Sequence, residues 1–123
     1  MNIPRFQKNP IDTSIYYSMI LPEAAEISFI EKIRRIVRDV TGTDPYVSNG
    51  YRQSELVKSR QLFLYFVRIN TMMSQESVGQ LVNKDHATVI HAERCVRKYK
   101  EIEPAYRMMF DQIEKRIEKL KIK

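Results

Sequence analysis

The sequence predicts an all-α fold built around a helix-turn-helix. Three observations carry that prediction. Apolar residues recur at three- and four-residue steps through most of the chain; a short capped stretch, a tight turn and a longer helical stretch follow one another at about 74–100; and the flanks of the one strand-like run, at 62–67, favour helix. A chain of 123 residues is enough for one domain with a modest core. We divide it into an N-terminal extension, residues 1–22, and a helical domain, residues 23–123.

The extension has prolines at 4, 10 and 22 and no periodic pattern, and Tyr16, Tyr17, Met19, Ile20 and Leu21 are expected to form one apolar patch. From Glu23 the pattern changes. Ile27, Ile30, Ile33, Val37 and Val40 fall on one helical stripe, so a first helix is predicted over 23–40, ended by TGTDP. A second helix is predicted from Ser54 to Ile69. The apolar run LFLYFV at 62–67 would also suit a buried strand, but Ser54 can cap and Val57, Gln61, Leu64 and Val67 share a stripe, which favours helix. The aromatic run at 63–66 and the Met72–Met73 pair are assigned to the core.

The stretch SQESVGQLV predicts a short helix with Ser74 as its N-cap, followed by a tight connection at Asn83 and Lys84. A longer helix runs from Asp85 to about Lys100, and a last one starts at Pro104 with Tyr106, Met109, Phe110, Ile113, Ile117 and Leu120 as its stripe. Its final run, EKRIEKLKIK, reads as a solvated face.

The opening of the longer helix, NKDHATVIHAERCV at 83–96, raises a question of function. Asp85 makes sense first as an N-cap for the backbone N–H of Thr88. Val89, Ala92, Val96 and Tyr99 form the buried stripe, which leaves Ala87, His91, Arg94 and Lys98 on the opposite face, a cationic surface suited to phosphates. The first residues of such a helix can reach base edges in a major groove. There a carboxylate accepts from cytosine N4, an imidazole or hydroxyl bonds base acceptors, and the Ala87 or Thr88 methyl meets a thymine methyl.

Charge agrees. Lys and Arg number 21 against 15 Asp and Glu, residues 1–50 hold six of each sign, and the whole excess of +6 therefore sits in 51–123, pointing to an anionic partner. The single cysteine, Cys95, cannot form an internal disulfide. No charged start runs into an apolar secretory region, and the longest apolar run is far short of the ~20 residues that span a bilayer. A cytoplasmic protein without a membrane segment is expected.

The motif VGQLVNKDHATVIHA at 78–92 resembles the signature IGxxFGxRDH(S/T)TVxHA of the C-terminal, origin-binding domain of the bacterial replication initiator DnaA. The stretch RQSELVKSRQLFLYFVRINT at 52–71 is similar to the same family's R..E.V.aRQiamYL.relT. The resemblance covers about residues 27–120. It implies a bundle of the DnaA C-terminal, Trp-repressor-like type that binds double-stranded DNA, with a role in replication initiation or its regulation; other replication or regulatory proteins are further candidate partners. It also implies that Asp85, His86 and Ala87 face bases in the major groove, that Thr88 and His91 lie at bases or the adjacent backbone, that Arg60 enters the minor groove, and that Lys58 and Lys84 sit near phosphates. The sequence departs from the family pattern in three ways: a turn one residue shorter than in many members, Lys84 for Arg, which loses a bidentate donor, and Ala87 without the usual hydroxyl. These bear on affinity for the family's DNA box rather than on DNA binding itself.

No cofactor is expected. His86 and His91 lie about 140° apart around a helix and do not converge; His91 and Cys95 share a face, but two ligands do not close a zinc site. No nucleophile motif and no GxxxxGK(S/T) occur, and the glycines at 42, 50 and 79 are scattered, so no enzymatic activity is expected. The competing class is a protein-binding adaptor on the same scaffold, using IYYSMIL at 15–21 or the last helix. Salt dependence separates the two, because phosphate binding releases counterions.

Overall fold

The computed structural model describes residues 24–47 and 53–121, and those residues form five helices and no strand. They are α1 (Ala24–Thr41), α2 (Gln53–Asn70), α3 (Gln75–Gln80), α4 (His86–Ile102) and α5 (Pro104–Lys121). The extension with its apolar patch, residue 23, residues 48–52 and residues 122–123 lie outside the described residues.

α2 is the centre of the bundle. It packs against α1, α3 and α4, and Leu62, Phe63, Leu64, Phe66 and Val67 are all buried. A helix covered on most sides must be apolar on most sides, which is why LFLYFV resembles a strand when read alone. Ile30, Ile33 and Val37 of α1, Val78 of α3, Val89, Ala92 and Val96 of α4, and Tyr106, Phe110, Ile113 and Ile117 of α5 complete the core. The stripes predicted for α4 and α5 are those that face inward, with Tyr99, Met109 and Leu120 at their edges.

Four expectations are corrected. α2 begins at Gln53, so Ser54 lies inside the helix, and its hydroxyl donates to Glu55 Oε1 at 3.2 Å instead of capping. Val57 is 44% exposed, because the buried side of the first α2 turns carries Leu56 and Ser59. Ile27 is 54% exposed, ahead of the point where α1 meets the bundle. Of the methionine pair only Met73 enters the core; Met72 sits at the outside of the α2–α3 turn and is 96% exposed.

Backbone chemistry ends the helices where the sequence needs turns. α1 closes through Gly42, whose φ of 83° is left-handed and whose N–H donates to Arg38 O at 2.8 Å. α4 and α5 are separated by Glu103 alone, held extended (φ −119°, ψ 110°) ahead of Pro104. Between α2 and α5, buried Gln61 Oε1 accepts from the Tyr106 hydroxyl at 3.1 Å.

The described part of the α1–α2 connection, residues 42–47, is clamped from both sides. Arg34 makes a bidentate pair with Asp44 (Nε–Oδ1 3.0 Å, Nη2–Oδ2 2.8 Å) and stacks 4.1 Å from the Tyr46 ring centre. Ser59, buried in α2, donates to Thr43 O at 2.6 Å. The Arg34 guanidinium, followed by the Tyr46 N–H, holds the Asp44 carboxyl below its ordinary range. A depressed folded pKa gives stability that is present above the unfolded carboxylate value of about 3.9. It is lost as pH falls through the folded pKa. Asp44→Asn should therefore be less stable than the parent at neutral pH and converge towards it in an acid titration followed by circular dichroism. A stability difference independent of pH below 4 to 5 would contradict this (the ~3.9 reference value sets the window).

Candidate nucleic-acid interface

The reversal from α3 into α4 decides where the start of α4 points. Lys84 N–H donates to Gly79 O at 2.8 Å and Asn83 N–H to Gln80 O at 3.2 Å, with Asn83 left-handed at φ 59°, the pattern of a Schellman closure. The α-helix therefore stops at Gln80, and Leu81 and Val82, expected within it, form half-buried parts of the turn. A Cβ on Gly79 would lie 2.6 Å from Lys84 O and 2.9 Å from Asp85 O. Only glycine lets the backbone entering α4 pass this close to α3.

Both caps expected from sequence are present. Ser74 Oγ accepts from Ser77 N–H at 3.1 Å, and Asp85 Oδ1 accepts from Thr88 N–H at 3.1 Å and from the Thr88 hydroxyl at 3.2 Å. The Thr88 N–H and hydroxyl lower the Asp85 pKa, so the cap is anionic at neutral pH. Thr88 is thereby held to Asp85, half-buried, while Lys84, Asp85, His86 and Ala87 are exposed together at the mouth of the helix. One turn on, His91 is exposed on the same face as Ala87, followed by exposed Arg94 and Lys98. Neither Lys84, Arg94 nor Lys98 enters an ion pair among the described residues. Their charge is left for solvent or for a partner.

A polar brace behind this face fixes α4 against its neighbours. Glu93 accepts from Gln75 Nε2 of α3 at 3.2 Å and lies 3.8 Å from Arg68 Nε of α2, a charge contact too long to be a hydrogen bond. The turn at Asn83 lies where the sequence put it; the close approach at Gly79 and the Gln75–Glu93–Arg68 brace were missed. A glycine six residues ahead of a capping Asp is the local signal that could have found the close approach; the brace joins three helices and has none.

Lys58 and Arg60 are not brought to the start of α4. Two residues apart, they project about 200° from each other around α2. Arg60 turns to the α1–α2 connection, donating from Nε to Pro45 O at 3.3 Å and from Nη2 to Val47 O. Exposed Lys58 borders a groove with Val57, Tyr99 and Glu103, at the far end of α4. Cys95 is half-buried, its Sγ 3.4 Å from His91 Nε2. Among the described residues no group of three or more His, Cys, Asp or Glu could hold a metal, and no helix is long and apolar enough to cross a membrane.

A short capped helix, a four-residue reversal and a longer helix with a free polar start define a helix-turn-helix domain. The chain matches the family described as the bacterial dnaA protein helix-turn-helix over residues 30–96, more than half its length. It is also similar to curated relatives that carry the name chromosomal replication initiator protein DnaA. That of Bacteroides fragilis is 35% identical over 69 residues, covering 55% of this chain and 14% of the relative. That of Flavobacterium psychrophilum is 30% identical over 90 residues, 72% of this chain and 19% of the relative, and that of Thermodesulfovibrio yellowstonii is 30% identical over 100 residues, 80% and 23%. The chain thus spans less than a quarter of the length of each. No solved structure matches it. The chain belongs to the bacterial DnaA helix-turn-helix family, and what is matched is a helix-turn-helix rather than a catalytic region.

The Gly79 contact is open to test. Gly79→Ala should cost about 1–3 kcal/mol, as overpacking does, and shift the amide signals of residues 83–86. Gly42→Ala, with open space at its Cβ, should cost about 1–2 kcal/mol from its left-handed φ and leave those amides in place. Denaturant unfolding with amide spectra compares the two. A Gly79→Ala protein as stable as the parent, with unmoved turn signals, would contradict the close approach.

Proposed function

We propose that this chain binds double-stranded DNA with sequence preference, as part of replication initiation or its regulation, and has no catalytic activity of its own. The observation that carries the reading is the exposed start of α4. It joins an anionic cap, an imidazole and a methyl within one turn of an unpaired lysine. Such a helix end suits base edges, and the cations further along the same face suit the flanking phosphates. Membership of the DnaA helix-turn-helix family and the names of its relatives support the same reading.

In this reading Asp85, His86 and Ala87 meet base edges in the major groove, Thr88 and His91 lie at bases or the adjacent backbone, and Lys84 sits beside a phosphate. Arg60 reaches the neighbouring minor groove. α2 runs antiparallel to α4, since Arg68 lies near Glu93 while Gln61 shares the groove with Tyr99. Arg60, next to Gln61, is therefore about 20 Å along the α4 axis from His86 at 1.5 Å per residue. Half a turn of duplex, about 17 Å, separates a major groove from the next minor groove, a length of the same order, so one bundle can reach both. Lys58, on the other side of α2, adds positive potential near phosphates instead of a contact beside Arg60.

Positioning and reading separate by their salt dependence. Lys84→Ala should weaken binding to a duplex selected from a random pool and to a scrambled duplex about equally, and should flatten the log–log salt slope by about one unit. His86→Ala should cost about 1–3 kcal/mol on the selected duplex, far less on the scrambled one, with the slope almost unchanged. Fluorescence anisotropy across a salt series measures both. Equal losses on the two duplexes for His86→Ala would remove the base-reading role, and binding by the parent that ignores salt would favour the adaptor.

A further inference from the structure

We propose that Arg34 and Asp44 are positioning residues for Arg60: they hold residues 44–47, after α1, in the shape from which the Pro45 and Val47 carbonyls orient the Arg60 guanidinium towards DNA. The inference rests on Arg60 being a minor-groove contact, as proposed above. An arginine on a helix surface has many rotamers, and a reader that must be ordered on binding loses affinity to that ordering. Arg60 is instead half-buried and anchored along one edge, with Nε on Pro45 O and Nη2 on Val47 O. A guanidinium has five N–H donors in a fixed fork. Two are used here, and three remain for a ligand.

Those two carbonyls can orient Arg60 only if they are themselves fixed. Asp44 immediately precedes Pro45, and its side chain does two things at once. It takes both the Nε and the Nη2 of Arg34 at 3.0 and 2.8 Å, and its Oδ1 accepts from Tyr46 N–H at 2.9 Å, between Pro45 and Val47. Arg34 is held in turn by Glu31 at 2.7 Å and lies over the Tyr46 ring, which itself packs edge-on against buried Phe63 of α2. Partly exposed ion pairs contribute little to stability alone. A bidentate fork fixes direction as well as distance, and what it directs here is the pair of carbonyls on Arg60.

The test uses the full chain and the selected duplex in two versions, differing only in whether the flank facing Arg60 is an A·T tract or G·C-rich. Narrow A·T minor grooves favour arginine, so the ratio of the two Kd values reports Arg60. Arg60→Ala should abolish the preference. Asp44→Asn and Arg34→Lys should each reduce it by about threefold or more, a coupling within the range of neighbouring residues, while leaving the G·C duplex nearly unaffected. In the Arg60→Ala background neither should have any further effect on the ratio. Arg34→Lys keeps the charge and loses the fork, so it carries the test if Asp44→Asn fails to fold. Equal weakening on both duplexes, an unchanged ratio, or losses that add to that of Arg60→Ala would overturn the positioning role alone. An Arg60→Ala protein with its preference intact would overturn the minor-groove reading and the inference with it.

Discussion

The approach of α3 to the first residues of α4 at Gly79 is the constraint on which the rest of the site depends. With Lys84 O and Asp85 O inside the space a Cβ would fill, the reversal can take only a few shapes. Asn83 supplies the left-handed step that closes it. The result is that Lys84, Asp85, His86 and Ala87 leave the turn on the outside of the bundle while Val89, Ala92 and Val96 are driven into it. A longer or looser turn would rotate α4, and each degree of rotation would move the polar start as well as the buried stripe. The helix is aimed by its backbone before any side chain acts.

Packing then fixes what the turn aims. α2, buried on most sides, is the surface against which α1, α3 and α4 register, and the Gln75–Glu93–Arg68 brace ties three of those helices at one point. Charge is distributed to match. Arg34, Arg68 and Arg107 have carboxylate partners, whereas Lys84, Arg94 and Lys98 along the outer side of α4 have none among the described residues. In water such unpaired cations cost little, and against a phosphate backbone each releases a counterion. Under the proposed function these charges of α4 would face the phosphates that flank the bases read by its first residues.

Local features of this molecule were legible in the sequence because they obey local rules. The caps at Ser74 and Asp85, the glycine end of α1, and the inward stripes of α4 and α5 all follow from side-chain spacing and backbone donors within one turn. α2 was less legible: all-round burial erases periodicity, and the stripe inferred from Val57 put an exposed residue inside. Met72 and Met73 could not be told apart by composition, because a one-residue difference at a turn sends one to the core and one to solvent. The site divided in the same way. The polar start of α4 could be read from NKDHATV directly. The Arg60 contacts with Pro45 and Val47 and the Arg34–Asp44 pair span ten or more residues through a connection with no period. Only the assembled fold shows what those side chains touch.

If DNA meets the bundle at the start of α4, with Arg60 as a second point of contact, a titration of isotope-labelled protein with a short duplex recovered by selection from a random pool will show it in the backbone amide and arginine side-chain signals. The largest changes should fall on residues 84–88, His91 and the Arg60 guanidinium, with the α5 signals of Arg107–Glu118 almost still. Changes centred on α5, or on the groove between Val57 and Tyr99, with the start of α4 unmoved, would contradict it.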